Sequence, residues 1–68
     1  MSFKTEVMTA TKQPNGIWKI AYDGIVLGDD RGFQTEELAV QEIKSRLKKD
    51  ARNALIYGRP LLYVYEVS

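Results

Sequence analysis

The sequence predicts a two-layer α+β domain in which the elements follow the order β-β-β-α-β. Three observations favour this fold class. Turn residues at positions 13–16 and 23–24 separate three extended segments in the first half of the chain. One stretch of helical periodicity follows, and residues 60–67 form a last extended segment. We therefore expect a mostly antiparallel sheet with one long helix on one face, in a single domain that spans residues 1–68.

The first predicted hairpin joins residues 3–11 to residues 17–22. Segment 3–11 is rich in β-branched residues and contains three Thr, which favours a strand although its alternation is imperfect. Gln13-Pro14-Asn15-Gly16 then supplies a preset φ followed by two residues that tolerate positive φ. This combination is typical of a turn between two extended segments.

A second hairpin is predicted around Asp23-Gly24, because this dipeptide favours the type I′ turn of a two-residue loop. The turn would pair Tyr22 with Ile25 and Ile20 with Leu27, so that the large side chains share one face. The predicted inward face comprises Trp18, Ile20, Tyr22, Ile25 and Leu27, and the predicted back face comprises Ile17, Lys19, Ala21 and Val26.

A helix is predicted to begin after Thr35, whose hydroxyl suits an N-cap, and to follow a charged, glycine-bounded loop at 28–32. Glu36 and Glu37 complement the positive end of the helix dipole. We favour an end at Gly58, ahead of Pro60, although the helix could also stop after Asn53. The apolar stripe repeats at helical spacing through Ala39, Val40, Ile43, Leu47, Ala51 and Ala54.

The last strand has apolar side chains on both faces, whereas the chain has one helix to cover a sheet. Part of this strand must then meet water, a ligand or another chain. A 68-residue chain without Cys also has a thin core and no disulfide. A homodimer, or a contact with another protein, would cover the exposed side of this strand and would also stabilise a domain with a thin core. The predicted interface comprises Leu62, Tyr63, Val64 and Tyr65.

Catalytic and metal-binding residue types are scarce in this sequence. The chain has no His and no Cys, which excludes Ser-His and Cys-His arrangements. Four acids, Asp29, Asp30, Glu36 and Glu37, could offer oxygen ligands to a cation, but turn chemistry and the helix dipole explain them equally well. We therefore predict no enzyme, no cofactor and no metal, with an activity through Asp29, Asp30 or Glu37 as a remote alternative.

The second half of the helix is basic, which supports an alternative function. A net charge of +1 is too balanced to predict nucleic-acid binding from bulk charge alone. Cations near a helix end also complement its dipole, and surface pairs of Arg46 with Glu42 and Asp50 are expected. Single-stranded nucleic acid remains the alternative partner, because bases could stack on Trp18 or the C-terminal tyrosines while phosphates meet Lys44, Lys48, Lys49 and Arg52.

The amino terminus lacks an apolar run of signal-peptide type, and the longest apolar stretch is residues 61–65. We expect a cytoplasmic protein without membrane contact. The strand-turn-strand-helix run of residues 17–47 resembles that of many short bacterial and phage domains, but it contains no motif specific enough to transfer a site. The sequence thus predicts a small, non-catalytic interaction module.

Overall fold

A computed structural model describes residues 5–28 and 31–66 of the chain. This part of the chain contains four strands and one helix. The predicted α+β class and the predicted order of elements are confirmed. The acids Asp29 and Asp30 of the predicted loop lie outside the described residues. The elements are β1 (Glu6–Lys12), β2 (Trp18–Tyr22), β3 (Ile25–Val26), α1 (Glu36–Tyr57) and β4 (Tyr63–Tyr65).

The sheet has the strand order β3-β2-β1-β4. β1 pairs antiparallel with β2, and β2 pairs antiparallel with β3, whereas β4 runs parallel to β1. β3 and β4 lie at opposite edges, so α1 connects one edge of the sheet to the other. The last strand, whose position the sequence left open, is therefore an edge strand of three residues.

Both predicted turns have the expected backbone. In the first turn Gly16 has a φ of 86°. In the second turn Asp23 and Gly24 have φ values of 52° and 82°, as a type I′ turn requires. The Asp23 carboxylate also accepts a hydrogen bond from the Val7 N–H at 2.8 Å. This bond ties the second turn to the central strand β1.

The two helix ends are also where the sequence predicts them. The Thr35 hydroxyl accepts a hydrogen bond from the Leu38 N–H at 3.2 Å. At the other end, Gly58 adopts the left-handed conformation with a φ of 64°, and its N–H donates to the Ala54 carbonyl. Between these caps, α1 packs on the sheet around a core of Met8, Ile20 and Ile43.

Three residues predicted to be inside the domain are exposed. Ile25 and Leu27 lie largely in solvent, because β3 is only two residues long and α1 contacts β1, β2 and β4 but not β3 among the described residues. Ala51 of the predicted helical stripe is exposed as well. Its neighbour Asp50 is buried instead, because the side of α1 that packs on the sheet carries Ala39, Ile43, Asp50 and Ala54.

The predicted loop at 28–32 leads into an extended segment that packs on β2. The Phe33 N–H donates to the Trp18 carbonyl, the Trp18 N–H donates to the Phe33 carbonyl, and each bond measures 2.7 Å. A Cβ added at Gly32 would lie 2.5 Å from Cγ2 of Ile17. Gly32 therefore lies too close to Ile17 to accept a Cβ without a shift of that side chain.

We expect Gly32→Ala to destabilise the fold by about 1–3 kcal/mol, because the stiff β-branched Ile17 side chain must move to admit the methyl group. Urea unfolding followed by circular dichroism measures the effect. Gly28→Ala is the matched control, since no atom lies within 4 Å of a Cβ added there. Equal stability of the two variants would show that Gly32 is not in close contact with Ile17.

Candidate interaction surfaces

A buried carboxylate holds the start of β4 against the helix. Asp50 projects from the sheet-facing side of α1 and is 4% exposed. Its Oδ1 accepts a hydrogen bond from Nη1 of Arg59 at 3.0 Å, and its Oδ2 accepts from the Leu62 N–H at 2.9 Å and the Tyr63 N–H at 3.2 Å. We call these groups the Asp50 anchor.

The anchor keeps Asp50 ionised at neutral pH. Burial raises the pKa of the Asp50 carboxyl, but the Leu62 N–H, the Arg59 guanidinium and the Tyr63 N–H together lower it by more, so the pKa lies below its ordinary value. Asp50 was predicted to form a surface pair with Arg46, but it is buried, and Arg59 donates to it. Arg46 donates to Glu42 at 2.9 Å and to the Tyr22 hydroxyl.

No second helix or sheet of the described residues packs on the sheet face opposite α1, although Ala21 at its centre is 3% exposed. Met8 and Ile20 point into the core beneath α1, so alternation places their neighbours along each strand on the other side. The pairing aligns this side in three rows, which are Val7 with Val64, Thr9 with Ala21 and Val26, and Thr11 with Lys19. We call these seven residues the open face, and Lys19 is the one charged residue among them.

The predicted interface residues divide between two sides of the sheet. Val64 lies on the open face and is 41% exposed. Tyr63 and Tyr65 are half-buried on the helix side, where they pack against the core cluster. The Tyr63 ring meets the Tyr22 ring edge to face at 5.7 Å. Leu62 is half-buried within the Asp50 anchor.

The residues of the nucleic-acid hypothesis lie in separate regions. Lys44, Lys48 and Arg52 are exposed along one row of α1, and Lys49 is exposed beside them. Trp18, by contrast, pairs with Phe33 just ahead of the first turn of α1. Lys48 and Arg52 are 12 and 16 residues beyond Glu36, which corresponds to roughly 18 and 24 Å along the helix axis. The structure does not bring Trp18 next to these cations.

One apolar surface was missed by the sequence interpretation. Leu55, Ile56 and Tyr57 form the last turn of α1 and are 86%, 65% and 74% exposed. Because Ala54 is the last buried residue of the helix, these three side chains lie beyond the area that packs on the sheet. We call them the helix-end cluster. The sequence favoured a helix that ends at Gly58, but it did not show that the last turn would be uncovered.

A cleft of about 450 Å³ lies between α1 and β4. Two of its cations have partners inside the fold, since Arg59 pairs with Asp50 and Arg46 pairs with Glu42, and Lys49, which also lines the cleft, is exposed. No cluster of three or more acidic side chains that could hold a metal ion occurs within residues 5–28 and 31–66. Neither observation defines a catalytic site.

Comparison with protein-family models, with curated proteins and with solved structures found no match to this chain. Within the described part of the chain, no helix combines the length and the apolar character needed to cross a bilayer. The class that the structure defines is a small α+β domain with a mixed four-stranded sheet and one helix.

Proposed function

We propose that this protein is a non-catalytic interaction module that pairs with a second copy of itself through the open face and β4. The observation that supports this proposal is the composition of that face. Six of its seven residues are Val, Thr or Ala, and Lys19 is its one charge. A sheet surface of this kind loses little hydration of charged groups when it is covered.

A second copy suits this surface better than a highly charged partner. The single Lys19 lies in the outermost of the three rows, so two copies can meet over the Val and Ala side chains without bringing like charges together at the centre. Short β-branched side chains also allow two sheets to approach to about 10 Å, as in β-sandwiches. The two helices would then lie on the outside of the dimer.

The size of the open face predicts a weak dimer. Strand spacing and residue rise give a patch of roughly 15 by 20 Å. Its area of roughly 300 Å² is well below the 800 Å² or so that each partner buries in a standard stable interface. We therefore expect a dissociation constant in the micromolar range or weaker, and a monomer at low concentration.

Sedimentation velocity over a range of concentrations tests the proposal. We expect the weight-average sedimentation coefficient of the natural protein to rise with concentration. Val64→Lys adds a charge to each open face, and it should abolish this rise while leaving the circular dichroism spectrum unchanged, because Val64 is exposed at the sheet edge.

Leu27→Lys is the matched control. Leu27 is also exposed, but it borders a groove with Tyr22 and Tyr63 on the helix side of the sheet. It should self-associate like the natural protein. A natural protein that stays monomeric at millimolar concentration would contradict the proposal, as would loss of association in the Leu27 variant alone.

A further inference from the structure

The helix-end cluster is the most exposed apolar group of the described residues, and the fold keeps it exposed. The Arg59 N–H donates to the Ala54 carbonyl at 3.0 Å, and the Gly58 N–H donates to the same oxygen. The Arg59 side chain is held in turn by Asp50. These bonds fix where the helix ends, so its last turn cannot unwind to bury its side chains without breaking them.

The part of the chain that contains this cluster has an excess of positive charge. Residues 44–68 contain six Lys and Arg and two acids, a net charge of +4, whereas residues 1–43 carry a net charge of −3. The one acid between Glu42 and Glu66 is Asp50, which is buried and neutralised by Arg59. Lys48, Lys49 and Arg52 therefore precede the apolar side chains without an exposed acid between them.

This charge argues for an anionic partner. A second copy would bring two ends of positive charge together, which is unfavourable. The cluster also differs from the surface that we assign to self-association, because it lies on the helix and not on the open face.

The directions of the three side chains narrow the choice further. Consecutive helix residues point about 100° apart, so Leu55, Ile56 and Tyr57 spread over roughly 200° around the axis. A flat protein surface covers one side of a helix and would leave part of this cluster in water. A fluid lipid surface can surround a protruding end on all sides. Single-stranded nucleic acid would offer phosphates to the cations, but it would not bury the aliphatic side chains of Leu55 and Ile56.

We propose that the carboxyl-terminal end of α1 binds anionic phospholipid surfaces, with Leu55, Ile56 and Tyr57 in the headgroup region and Lys48, Lys49 and Arg52 against lipid phosphates. Apolar insertion combined with basic residues is the general mode of interfacial binding. The sequence interpretation expected no membrane contact, because the longest apolar stretch is residues 61–65 and the net charge is only +1. The two signs are divided unequally between residues 1–43 and residues 44–68, which the total charge does not show.

Flotation of the full-length protein with lipid vesicles tests the proposal. We expect binding to phosphatidylcholine vesicles that contain about 30% phosphatidylglycerol, little binding to pure phosphatidylcholine, and weaker binding as salt is raised. The double variant Leu55→Ser, Ile56→Ser should lower partitioning at least tenfold, roughly the transfer contribution of two apolar side chains. Lys48→Ala with Arg52→Ala should lower it about 10- to 30-fold.

The double variant Ile25→Ser, Leu27→Ser is the matched control, since it removes two exposed apolar side chains that lie on or beside β3 and not on α1, and it should bind vesicles like the natural protein. Equal binding to neutral and anionic vesicles overturns the proposal. So does full binding by the Leu55 and Ile56 variant, which would mean a purely electrostatic contact. Binding to a single-stranded oligonucleotide without binding to vesicles would assign the basic residues to nucleic acid instead. The Val64→Lys variant should bind vesicles normally, which separates this outcome from that of self-association.

Discussion

Replacing Asp50 by Asn should lower the free energy of unfolding by about 3 kcal/mol. The carboxylate accepts three hydrogen bonds in a site that is 4% exposed, and its charge neutralises Arg59. Asn keeps the shape but removes the charge, and its amide group turns one acceptor into a donor. The change leaves Arg59 or a backbone N–H of the β4 entry without its partner, a loss typical of a broken buried pair.

Urea unfolding of both proteins measures this loss, and Glu37→Gln is the control. Glu37 is an exposed acid on the same helix, so the same chemical change there should cost less than about 0.5 kcal/mol. If Asp50→Asn and Glu37→Gln were equally stable, the Asp50 anchor would not hold β4 in place.

The same variant predicts a pH dependence. Because the pKa of Asp50 is lowered in the folded protein, the unfolded chain takes up a proton there first as the pH falls. The stability that the charged form contributes is complete above the ordinary carboxyl pKa of about 4 and is lost as the pH falls through the lower native pKa. The difference between the natural protein and Asp50→Asn should therefore be constant above about pH 5 and shrink below about pH 4. A difference that grows on acidification would contradict the ionised anchor.

Replacing Ile43 by Ala should lower the free energy of unfolding by a similar amount, about 3–4 kcal/mol. Ile43 is fully buried between α1 and the sheet, where it meets Met8 and Ile20. In a small domain with three large buried side chains at its centre, few neighbours can move to fill the space that Ala leaves.

Ile56→Ala is the matched control for this loss, because it makes the same change on the same helix at a side chain that is 65% exposed. We expect it to alter stability by less than about 0.5 kcal/mol in urea unfolding. Similar losses at the two positions would mean that the helix-end cluster is covered in solution, and the vesicle and sedimentation experiments would then have to account for its cover.

The local features of the fold could be predicted because each depends on neighbouring residues. Asp23-Gly24 requires positive φ at both positions, Thr35 offers the capping hydroxyl, and Gly58 tolerates the left-handed conformation. These requirements do not depend on what packs around them. The fold class followed from the order of the elements that such signals separate.

The extent of the helix cover could not be predicted, because it depends on the lengths and positions of elements far apart in the chain. Ile25 and Leu27 alternate correctly for an inward face but lie where α1 does not reach. The last turn of α1 continues the helix past the sheet in the same way. In both places the sequence shows periodicity, and periodicity alone does not show whether a partner surface exists.

Asp50 carried a signal that could have been used. It lies seven residues after Ile43 and eleven after Ala39, so it shares their side of the helix. An acid in an apolar stripe requires partners, and Arg59 is the next cation after the helix. We interpreted Asp50 as a surface residue because an i, i+4 pair with Arg46 was the nearer explanation.

The predicted interface of residues 62–65 was also revised, because pairing between distant strands decides which side chains are covered. Parallel pairing with β1 places Val64 beside Val7 on the open face and turns Tyr63 and Tyr65 toward the helix. Alternation predicted that the two sets would point in opposite directions, but only the pairing and the position of α1 decide which set is covered. The excess of apolar surface was expected on the last strand, and most of the exposed large apolar side chains lie instead on or beside β3 and on α1, with Val64 the one on the open face.

The central claim is that a second copy covers the open face. Nuclear Overhauser contacts between copies test it most directly, in a millimolar mixture of isotope-labelled and unlabelled protein filtered for intermolecular signals. We predict contacts that link the methyl groups of Val7, Val26 and Val64 in one copy to those of the other. Intermolecular contacts confined to Leu55 and Ile56, or none at all, would contradict the claim.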